Sequence, residues 1–405
     1  MTTGPTGQRN GLPQGTHRTL AAARIATAAG EPVRATSTAE IDAAHAARER
    51  RTSERRIGVW LSFIAAMLIV MIVLGALTRL TESGLSMVEW RPITGWLPPL
   101  TEPAWQDELA RYAQSPQGRI VNPHMSVAAF KEIYWLEYIH RLWGRLIGVA
   151  FAVPLLWFWV RRQIPGDLRL RLAGLLLLGC MQGVLGWLMV ASGLVDQPAV
   201  SHFRLAAHLL LAIAILAWIA WLVLGLLWPR TEPDWRHQHG NNVLRHIASW
   251  LIVLLFVQIT FGAFVAGLRA GQIHTTFPTM SGYWILPELR QSSQLLFDLV
   301  ANPVGVQLVH RWLGKLMVLG VLLMWWRSRR PDVSSEVRQA AWLALAMVAV
   351  QFGLGVWTLL SGAEIWLGVL HQTGAVLLLL AMLRVLRIAT PRTESAATTY
   401  HLRTA

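Results

Sequence analysis

The chain has 405 residues, of which 54% are hydrophobic and only 14% are charged. A soluble domain carries about 25% charged residues, so this composition excludes an ordinary soluble enzyme and predicts a membrane protein. The formal net charge of +14 would also suit a nucleic-acid-binding protein, but we exclude that class because the arginines are concentrated in short connections between long apolar segments.

The first 56 residues are rich in Ala, Thr, Gly and Arg and offer no apolar core. We therefore expect residues 1–56 to form a disordered tail on the inner side of the membrane. No short apolar signal segment precedes the first long apolar run, so we expect no cleavage of a signal peptide.

Eight apolar runs follow, each long enough to cross a bilayer as a helix of about 20 residues. In chain order we place the spans at residues 57–79, 132–160, 170–192, 203–227, 246–268, 303–326, 340–361 and 365–387. The expected fold is an all-α polytopic membrane protein with eight transmembrane helices.

The connections between these spans alternate in character. Two are long and contain Trp, Pro and Gly, residues 80–131 and 269–302, and we expect them to form caps on the outer side. The arginines cluster in the other connections, including the linker 228–245, and before the final tail 388–405. By the positive-inside rule the linker, the final tail and both termini are cytoplasmic.

The most informative feature of the sequence is a motif that occurs twice, at residues 140–145 (HRLWGR) and 310–315 (HRWLGK). The repeat extends to QGVLG and QFGLG at residues 182–186 and 351–355, and to Gly-Ala pairs at residues 75–76 and 262–263. We infer two pseudo-symmetric four-helix bundles, residues 57–227 and 246–387, related by an axis along the membrane normal.

Each half places two histidines near the outer ends of its second and fourth spans: His140 and His208, then His310 and His371. All four lie roughly 8–12 Å below the outer end at the helical rise per residue. Histidine inside a membrane segment is costly and usually functional. Two facing histidines suit the axial ligation of haem iron, whereas zinc normally takes three or four protein ligands. The remaining histidines lack repeat partners, and we interpret them as surface residues, with His202 as the strongest exception.

Gly144 and Gly314 follow their histidines by one helical turn on the same face. A missing side chain there would let a flat macrocycle approach the backbone. The alternative is close helix–helix contact through small residues, which is common in membranes.

The two halves differ three residues before the first histidine, where Glu137 in one half corresponds to Gln307 in the other. A buried carboxylate in a membrane helix suggests a chemical role. The alternatives are a salt bridge to Arg141 or Arg145, or a hydrogen bond that orients His140. We interpret the half with Glu137 as the one that performs chemistry. The half with His310 and His371 would then hold a permanent electron-carrying haem.

Three arginines near the outer boundary are candidate partners for haem propionates through charge-assisted hydrogen bonds: Arg79, Arg141 and Arg311. Extension of their side chains towards the membrane surface explains their positions equally well.

Taken together, these residues resemble the haem A synthase family, in its mitochondrial and proteobacterial branch. The resemblance covers most of residues 57–387 and is carried by residues 77–86 (LTRLTESGLS), 90–99 (WRPITGWLPP), 137–141 (EYIHR), 182–186, 277–280 (FPTM), 310–311 and 371–374 (HQTG). Some members have a cysteine pair in the first outer loop. This chain has only Cys180, so it lacks that pair.

The resemblance implies oxidation of the C8 methyl group of haem O to a formyl group by successive hydroxylations. It implies that Glu137 is catalytic, that His140 and His208 hold the substrate haem, and that His310 and His371 hold haem b as cofactor. It also implies haem O synthase and an electron acceptor as partners, with lipid around the protein, and leaves a homo-oligomer open. We expect an integral protein of a bacterial inner membrane whose haem sites lie towards the outer face.

Two other functions fit part of the pattern. A non-catalytic membrane electron carrier with two bis-histidine haems would share the repeat and the histidine pairs, but it does not explain Glu137 opposite Gln307. A transporter would also show internal repeats, but it should have broken helices and polar groups near the midplane.

Overall fold

The computed structural model describes residue 1 and residues 38–91, 94–228 and 237–391. Over these ranges it contains twelve α-helices and no β-strand. The helices are α1 Thr38–Leu80, α2 Glu102–Ala113, α3 Pro116–Ile120, α4 Val127–Val160, α5 Gly166–Ala191, α6 His202–Leu227, α7 Gln238–Gly267, α8 Pro287–Arg290, α9 Leu295–Ala301, α10 Pro303–Ser328, α11 Ser335–Leu360 and α12 Ile365–Ala389.

Eight of the described helices are long and apolar enough to cross a membrane: α1, α4, α5, α6, α7, α10, α11 and α12. They coincide with the eight predicted spans to within a few residues at most boundaries. The prediction of an all-α polytopic membrane protein is confirmed. Each of the eight runs as one continuous helix, in contrast to the broken helices that a transporter would need.

The chain divides into two compact units, Met1–Thr52 and Ser53–Ala405, with the division inside α1. In the first unit, α1 begins at Thr38, well before the predicted start of the first span at residue 57. Residues 38–56 are therefore helical, and the prediction of disorder is wrong for them. The segment is rich in Ala, Glu and Arg, which are strong helix formers, and a helix extends from an existing one more easily than it nucleates. Residues 2–37 lie outside the described residues.

Two further helices are also longer than predicted. Residues 238–245 of the predicted inner linker belong to α7, and residues 388–389 of the predicted tail belong to α12. The remainder of the predicted tail from residue 392 lies outside the described residues, as do residues 229–236. Hydropathy detects only the apolar part of a helix, so it places the polar turns at the start of α7 and at the end of α12 in the connections.

Local sequence signals explain where the histidine-bearing helices of the repeat begin. Ser126 caps α4 by accepting a hydrogen bond from the backbone N–H of Ala129 at 3.2 Å. Asn302 caps α10 by accepting one from Val304 at 2.9 Å, and Pro303 occupies the first helical position. Such caps satisfy backbone N–H groups that have no partner within the helix. They fix the register of both helices upstream of His140 and His310.

The membrane helices of the second unit pack in two groups of four. In the C-terminal group, α7 contacts α10 and α12, while α11 contacts both α10 and α12. In the N-terminal group, the indole of Trp60 on α1 donates to Ala150 O on α4, and that of Trp143 on α4 donates to Met67 O on α1, both at 2.9 Å. α5 contacts α4 and α6, and Gly58 of α1 packs against the C-terminal end of α6. Each group is thus a closed four-helix bundle, as predicted, whereas the symmetry axis between the bundles stays a prediction.

The two bundles meet along α1, α6, α7 and α12. The amide of Gln372 on α12 donates to Ile72 O on α1 at 3.2 Å. At the outer end, Arg79 of α1 donates to Ala266 O and Gly267 O at the end of α7, at 2.8 and 3.1 Å. Carbonyls at a helix C-terminus lack intrahelical donors, and a cation is favourable there. Arg79 therefore joins the halves.

The first outer loop forms a folded cap over the N-terminal bundle, as the sequence analysis anticipated. Its centre is an aromatic cluster: Trp105, Tyr112, Phe130, Tyr134 and Tyr138. The Tyr138 hydroxyl donates to Trp96 O at 2.6 Å, and the Gln117 amide donates to Glu82 O at 2.9 Å. The first of these bonds attaches the loop to α4, and the second attaches α3 to the segment that directly follows α1. The cap lies at the outer ends of α1 and α4, near His140.

Candidate functional site

All four predicted histidines lie against a glycine of the neighbouring helix in their own bundle. A Cβ atom added to Gly75 on α1 would lie 3.2 Å from Cε1 of His140, and one added to Gly262 on α7 would lie 3.3 Å from Cε1 of His310. Ordinary carbon contacts are about 3.5–4.0 Å. The first histidine of each half therefore lies so close to the glycine that a side chain there would displace the ring by a few tenths of an ångström.

The second histidine of each half makes an equivalent and closer contact with a glycine. We call each of these four histidine–glycine contacts a glycine seat. A Cβ at Gly186 on α5 would lie 3.0 Å from Cε1 of His208, and one at Gly355 on α11 would lie 2.7 Å from Cε1 of His371. Both glycines belong to the repeated QGVLG and QFGLG segments, and the repeat alone does not reveal their role. Their common role is to let an imidazole ring approach the backbone.

His310 and His371 face each other across the C-terminal bundle. Their ring centres are 6.3 Å apart and the ring planes are inclined at 85°. A metal ion held between two imidazoles by bonds of about 2 Å on each side would separate the ring centres by about 6 Å. Both side chains are partly exposed although they lie in the middle of a helix bundle. The spacing suits an ion bound by both histidines.

The donor set decides which ion fits. Among the described residues there is no group of three or more His, Cys, Asp or Glu side chains that could hold a bare metal ion. Two histidines alone are a poor zinc site, but they complete the coordination of an iron whose other ligands come from a porphyrin. The residues present therefore fit haem.

His140 and His208 extend from α4 and α6, the helices that correspond to α10 and α12. Both helices belong to the N-terminal bundle. Nδ1 of His140 is buried without a hydrogen-bond partner, as is Nδ1 of His310. The structure therefore brings His310 and His371 together and places His140 and His208 on two helices of the same bundle. Binding of haem to either pair stays a prediction.

The glycine seats give a direct test. We expect Gly355→Ala to lower the haem content of the C-terminal half, because its methyl group would lie 2.7 Å from His371 Cε1. Overpacking of this kind costs about 1–3 kcal/mol, which corresponds to roughly 5–150-fold in affinity. The measurement is bound haem per chain in the purified protein.

The matched control for this substitution is Gly353→Ala on the same helix, where an added Cβ would meet no atom within 4 Å. We expect the control to keep its haem, with helix propensity raised by about 1 kcal/mol. Equal haem content in the two variants would contradict the role assigned to the Gly355 seat.

Glu137 lies on α4 with only 2% of its surface exposed. One carboxylate oxygen accepts hydrogen bonds from Ser86 Oγ at 2.7 Å and from the backbone N–H of Met87 at 2.8 Å. The other accepts from Nε and Nη2 of Arg141 at 3.0 and 2.5 Å. Of the alternatives considered for Glu137, the salt bridge to Arg141 is observed. Its described hydrogen bonds go to Arg141 and the outer loop.

The corresponding position in the other half is neutral and performs a similar anchoring role. Gln307 is also 2% exposed and donates to His274 O at 3.1 Å. Arg311 donates to His274 O at 2.5 Å and to Thr276 O at 2.7 Å. Both halves thus attach an outer loop beside the first histidine. Only the N-terminal half does so with a buried carboxylate.

The three predicted propionate partners have different surroundings in the structure. Arg141 also donates to Met87 O at 2.8 Å, so the guanidinium groups of all three arginines hold backbone carbonyls. Nε of Arg79 and Nε of Arg311 are nevertheless buried without a partner. The structure brings Arg141 and Arg311 to the outer loops, whereas Arg79 lies between the two halves. Their contact with propionates stays a prediction.

Gly144 and Gly314 face different side chains in the two halves. A Cβ at Gly144 would lie 3.3 Å from Cε of Met71, and one at Gly314 would lie 3.4 Å from Nε2 of Gln258. The Gln258 amide also lies 3.5 Å from Nε2 of His310. The presence of Gln258 in one half and Met71 in the other is a second difference between the halves. Both glycines lie against a side chain of a neighbouring helix, and the approach of a macrocycle to them stays a prediction.

His202 lies at the start of α6, where its Nε2 is 3.2 Å from Val300 O and its ring packs edge-on against Phe264. These contacts link α6 to α9 and α7. These two contacts explain why the His202 side chain is partly buried.

The fold and the site together define a polytopic membrane protein that carries one histidine pair in each of two helix bundles. A family described as cytochrome oxidase assembly protein (COX15-CtaA) matches residues 58–383. The chain belongs to this family.

The chain is similar over most of its length to proteins named Heme A synthase. It is 46% identical to one from Rhodospirillum centenum over 325 residues, which are 80% of this chain and 86% of the relative. It is 43% identical to one from Nitrosospira multiformis, covering 82% of this chain and 93% of the relative. A plant relative from Arabidopsis thaliana, Heme A synthase COX15, is 40% identical and covers 82% and 74%. The family identified from the sequence is confirmed.

Proposed function

We propose that this protein is a haem A synthase, which oxidises the C8 methyl group of haem O to a formyl group. The observation that carries the proposal is the histidine pair of each half, with every imidazole seated against a glycine of a neighbouring helix. Relatives that are 40–46% identical to the chain bear the name of this enzyme.

We assign different roles to the two halves. His310 and His371 would hold haem b, and their ring spacing of 6.3 Å supports this assignment. When bound, haem b supplies one-electron transfer. His140 and His208 would hold the substrate haem O. The assignment to the N-terminal half rests on Glu137, since the corresponding Gln307 has no charge.

Conversion of a methyl group into a formyl group proceeds through two hydroxylations and the loss of water from the resulting gem-diol. If water supplies the oxygen, each hydroxylation releases two electrons and two protons. Glu137 would accept a proton from the attacking water or stabilise positive charge that develops on the methyl carbon. Arg141 and Ser86 would keep the carboxylate in one position, because both bond to it directly. The electrons would leave to an acceptor outside the chain.

The experiment is expression in cells that make haem O but no haem A, followed by extraction of the haems and identification by chromatography and mass spectrometry. We expect haem A to accumulate only in cells that produce this protein. Cells that contain folded protein with bound haem b, and whose extract contains haem O but no haem A, would contradict the proposed activity. That outcome would favour the non-catalytic electron carrier.

A further inference from the structure

A glutamine lies against the second histidine of each half. On α11, Nε2 of Gln351 donates to His371 O at 2.9 Å and lies 3.1 Å from Nδ1 of the same residue. On α5, Nε2 of Gln182 donates to His208 O at 3.0 Å and lies 3.2 Å from His208 Nδ1. Each glutamine therefore contacts both the ring and the backbone of its histidine.

The glutamine and the glycine seat form one local unit. Gln351 and Gly355 are one helical turn apart and share a face of α11, as Gln182 and Gly186 do on α5. The glycine admits the Cε1 edge of the ring, and the glutamine meets Nδ1. A Cβ at Gly374 of α12 would overlap Oε1 of Gln351, so a glycine on the opposite helix also makes room for the amide.

The amide oxygens of both glutamines are buried without a hydrogen-bond partner. An unsatisfied buried acceptor costs about 1–3 kcal/mol. In the described orientation the amide offers N–H to Nδ1, which suits the tautomer whose proton is on Nε2. Ligation of iron through Nε2 would require the proton to be on Nδ1. Nδ1–H needs an acceptor, and the orphaned oxygen belongs to the same amide.

A neutral amide can serve both tautomers, because rotation about its terminal bond exchanges the donor for the acceptor. After that rotation, Oε1 of Gln351 would accept a hydrogen bond from His371 Nδ1–H. Because this amide position also lies 2.9 Å from the His371 carbonyl oxygen, the side chain must at the same time turn away from that carbonyl, so that two acceptor oxygens do not meet. The carbonyl keeps the hydrogen bond from the backbone N–H four residues further along the helix.

We propose that Gln351 is a positioning residue for His371: its amide oxygen accepts the Nδ1 proton, holds the tautomer that binds iron, and sets the reduction potential of the bound haem. Gln182 differs in that its Nε2 lies close to both ring nitrogens of His208, 3.2 Å from Nδ1 and 3.4 Å from Nε2. This inference rests on the proposed function, since it takes His371 to be a ligand of haem b. Acceptors at the outer nitrogen raise the basicity of a ligating histidine, and a more basic ligand favours the oxidised iron.

The test is a potentiometric titration of the haem b bound to the full-length protein, comparing wild type with Gln351→Glu and Gln351→Met. Both replacements are similar in size to glutamine. We expect Gln351→Glu to lower the midpoint potential, because a carboxylate accepts the proton more strongly. We expect Gln351→Met to raise the potential, because it offers no acceptor. The control is Gln182→Met, which should leave the haem b potential unchanged.

Three results would overturn the inference: a potential for Gln351→Met at or below that of wild type, no shift in Gln351→Glu, or an equal shift in the control. The glutamate variant decides the question independently if Gln351→Met fails to fold. Wild-type protein without a low-spin haem would overturn the proposed function as well. Haem b that is present but insensitive to Gln351 would overturn the inference alone.

Discussion

Replacement of Glu137 by Gln should abolish formation of haem A while haem b stays bound. The amide has nearly the shape of the carboxylate, but it has no charge and one acceptor oxygen instead of two. It can keep the bonds from Ser86 and Met87, yet it then presents its NH₂ group to Arg141, whose side chain is only 10% exposed. Loss of general acid–base catalysis alone costs about 10²–10⁴-fold in rate. The measurement is haem A formed per chain under conditions of equal haem b content.

The matched control is Glu132→Gln on the same helix. Glu132 is exposed, so its replacement should leave both the product and the haem b unchanged. Normal output of haem A from Glu137→Gln would remove this carboxylate from the mechanism. If Glu137→Gln lost haem b as well, Glu137 would be a structural anchor of the outer loop rather than a catalytic group.

Replacement of either His310 or His371 by Ala should remove the low-spin spectrum of haem b. The pair meets across the bundle with ring centres 6.3 Å apart, so both residues would hold the iron of haem b. Loss of an outer hydrogen-bond partner of a metal ligand already costs about 10–100-fold in affinity, and loss of the ligand itself should cost at least as much. The reduced-minus-oxidised absorption spectrum of the purified variant measures the effect.

His208→Ala provides the control in the other half, since this residue occupies the corresponding position on α6. It should keep the haem b spectrum and lose retention of haem O. An unchanged haem b spectrum in His310→Ala and His371→Ala would assign the cofactor to the N-terminal half. Loss of haem b in His208→Ala alone would lead to the same reassignment.

Most of the fold could be predicted because a membrane restricts the possibilities. Backbone polar groups in lipid must be satisfied within the segment, so long apolar runs form helices. The sequence therefore predicts the eight spans to within a few residues at most ends. The start of α1 at Thr38 was missed because its polar turns carry no hydropathy signal. Their tendency to form a helix depends on Ala, Glu and Arg rather than on burial.

The histidine pairs could be predicted because each half carries one histidine on its second span and one on its fourth. The partner of Glu137 could be predicted only as one of several alternatives. Spacing places Arg141 on the same helix face, but Ser86 and Met87 come from a loop whose path the sequence does not reveal. The difference between Met71 and Gln258 was also missed, because it depends on the rotation of α1 and α7 against α4 and α10. Contacts between side chains of different helices depend on how the helices pack, which the sequence alone does not reveal.

Analysis of the pigment extracted from the purified full-length protein tests the account most directly. The proposed function predicts haem b together with haem O or haem A, because the two histidine pairs bind different molecules. Recovery of two haem b molecules per chain, with neither haem O nor haem A, would contradict it.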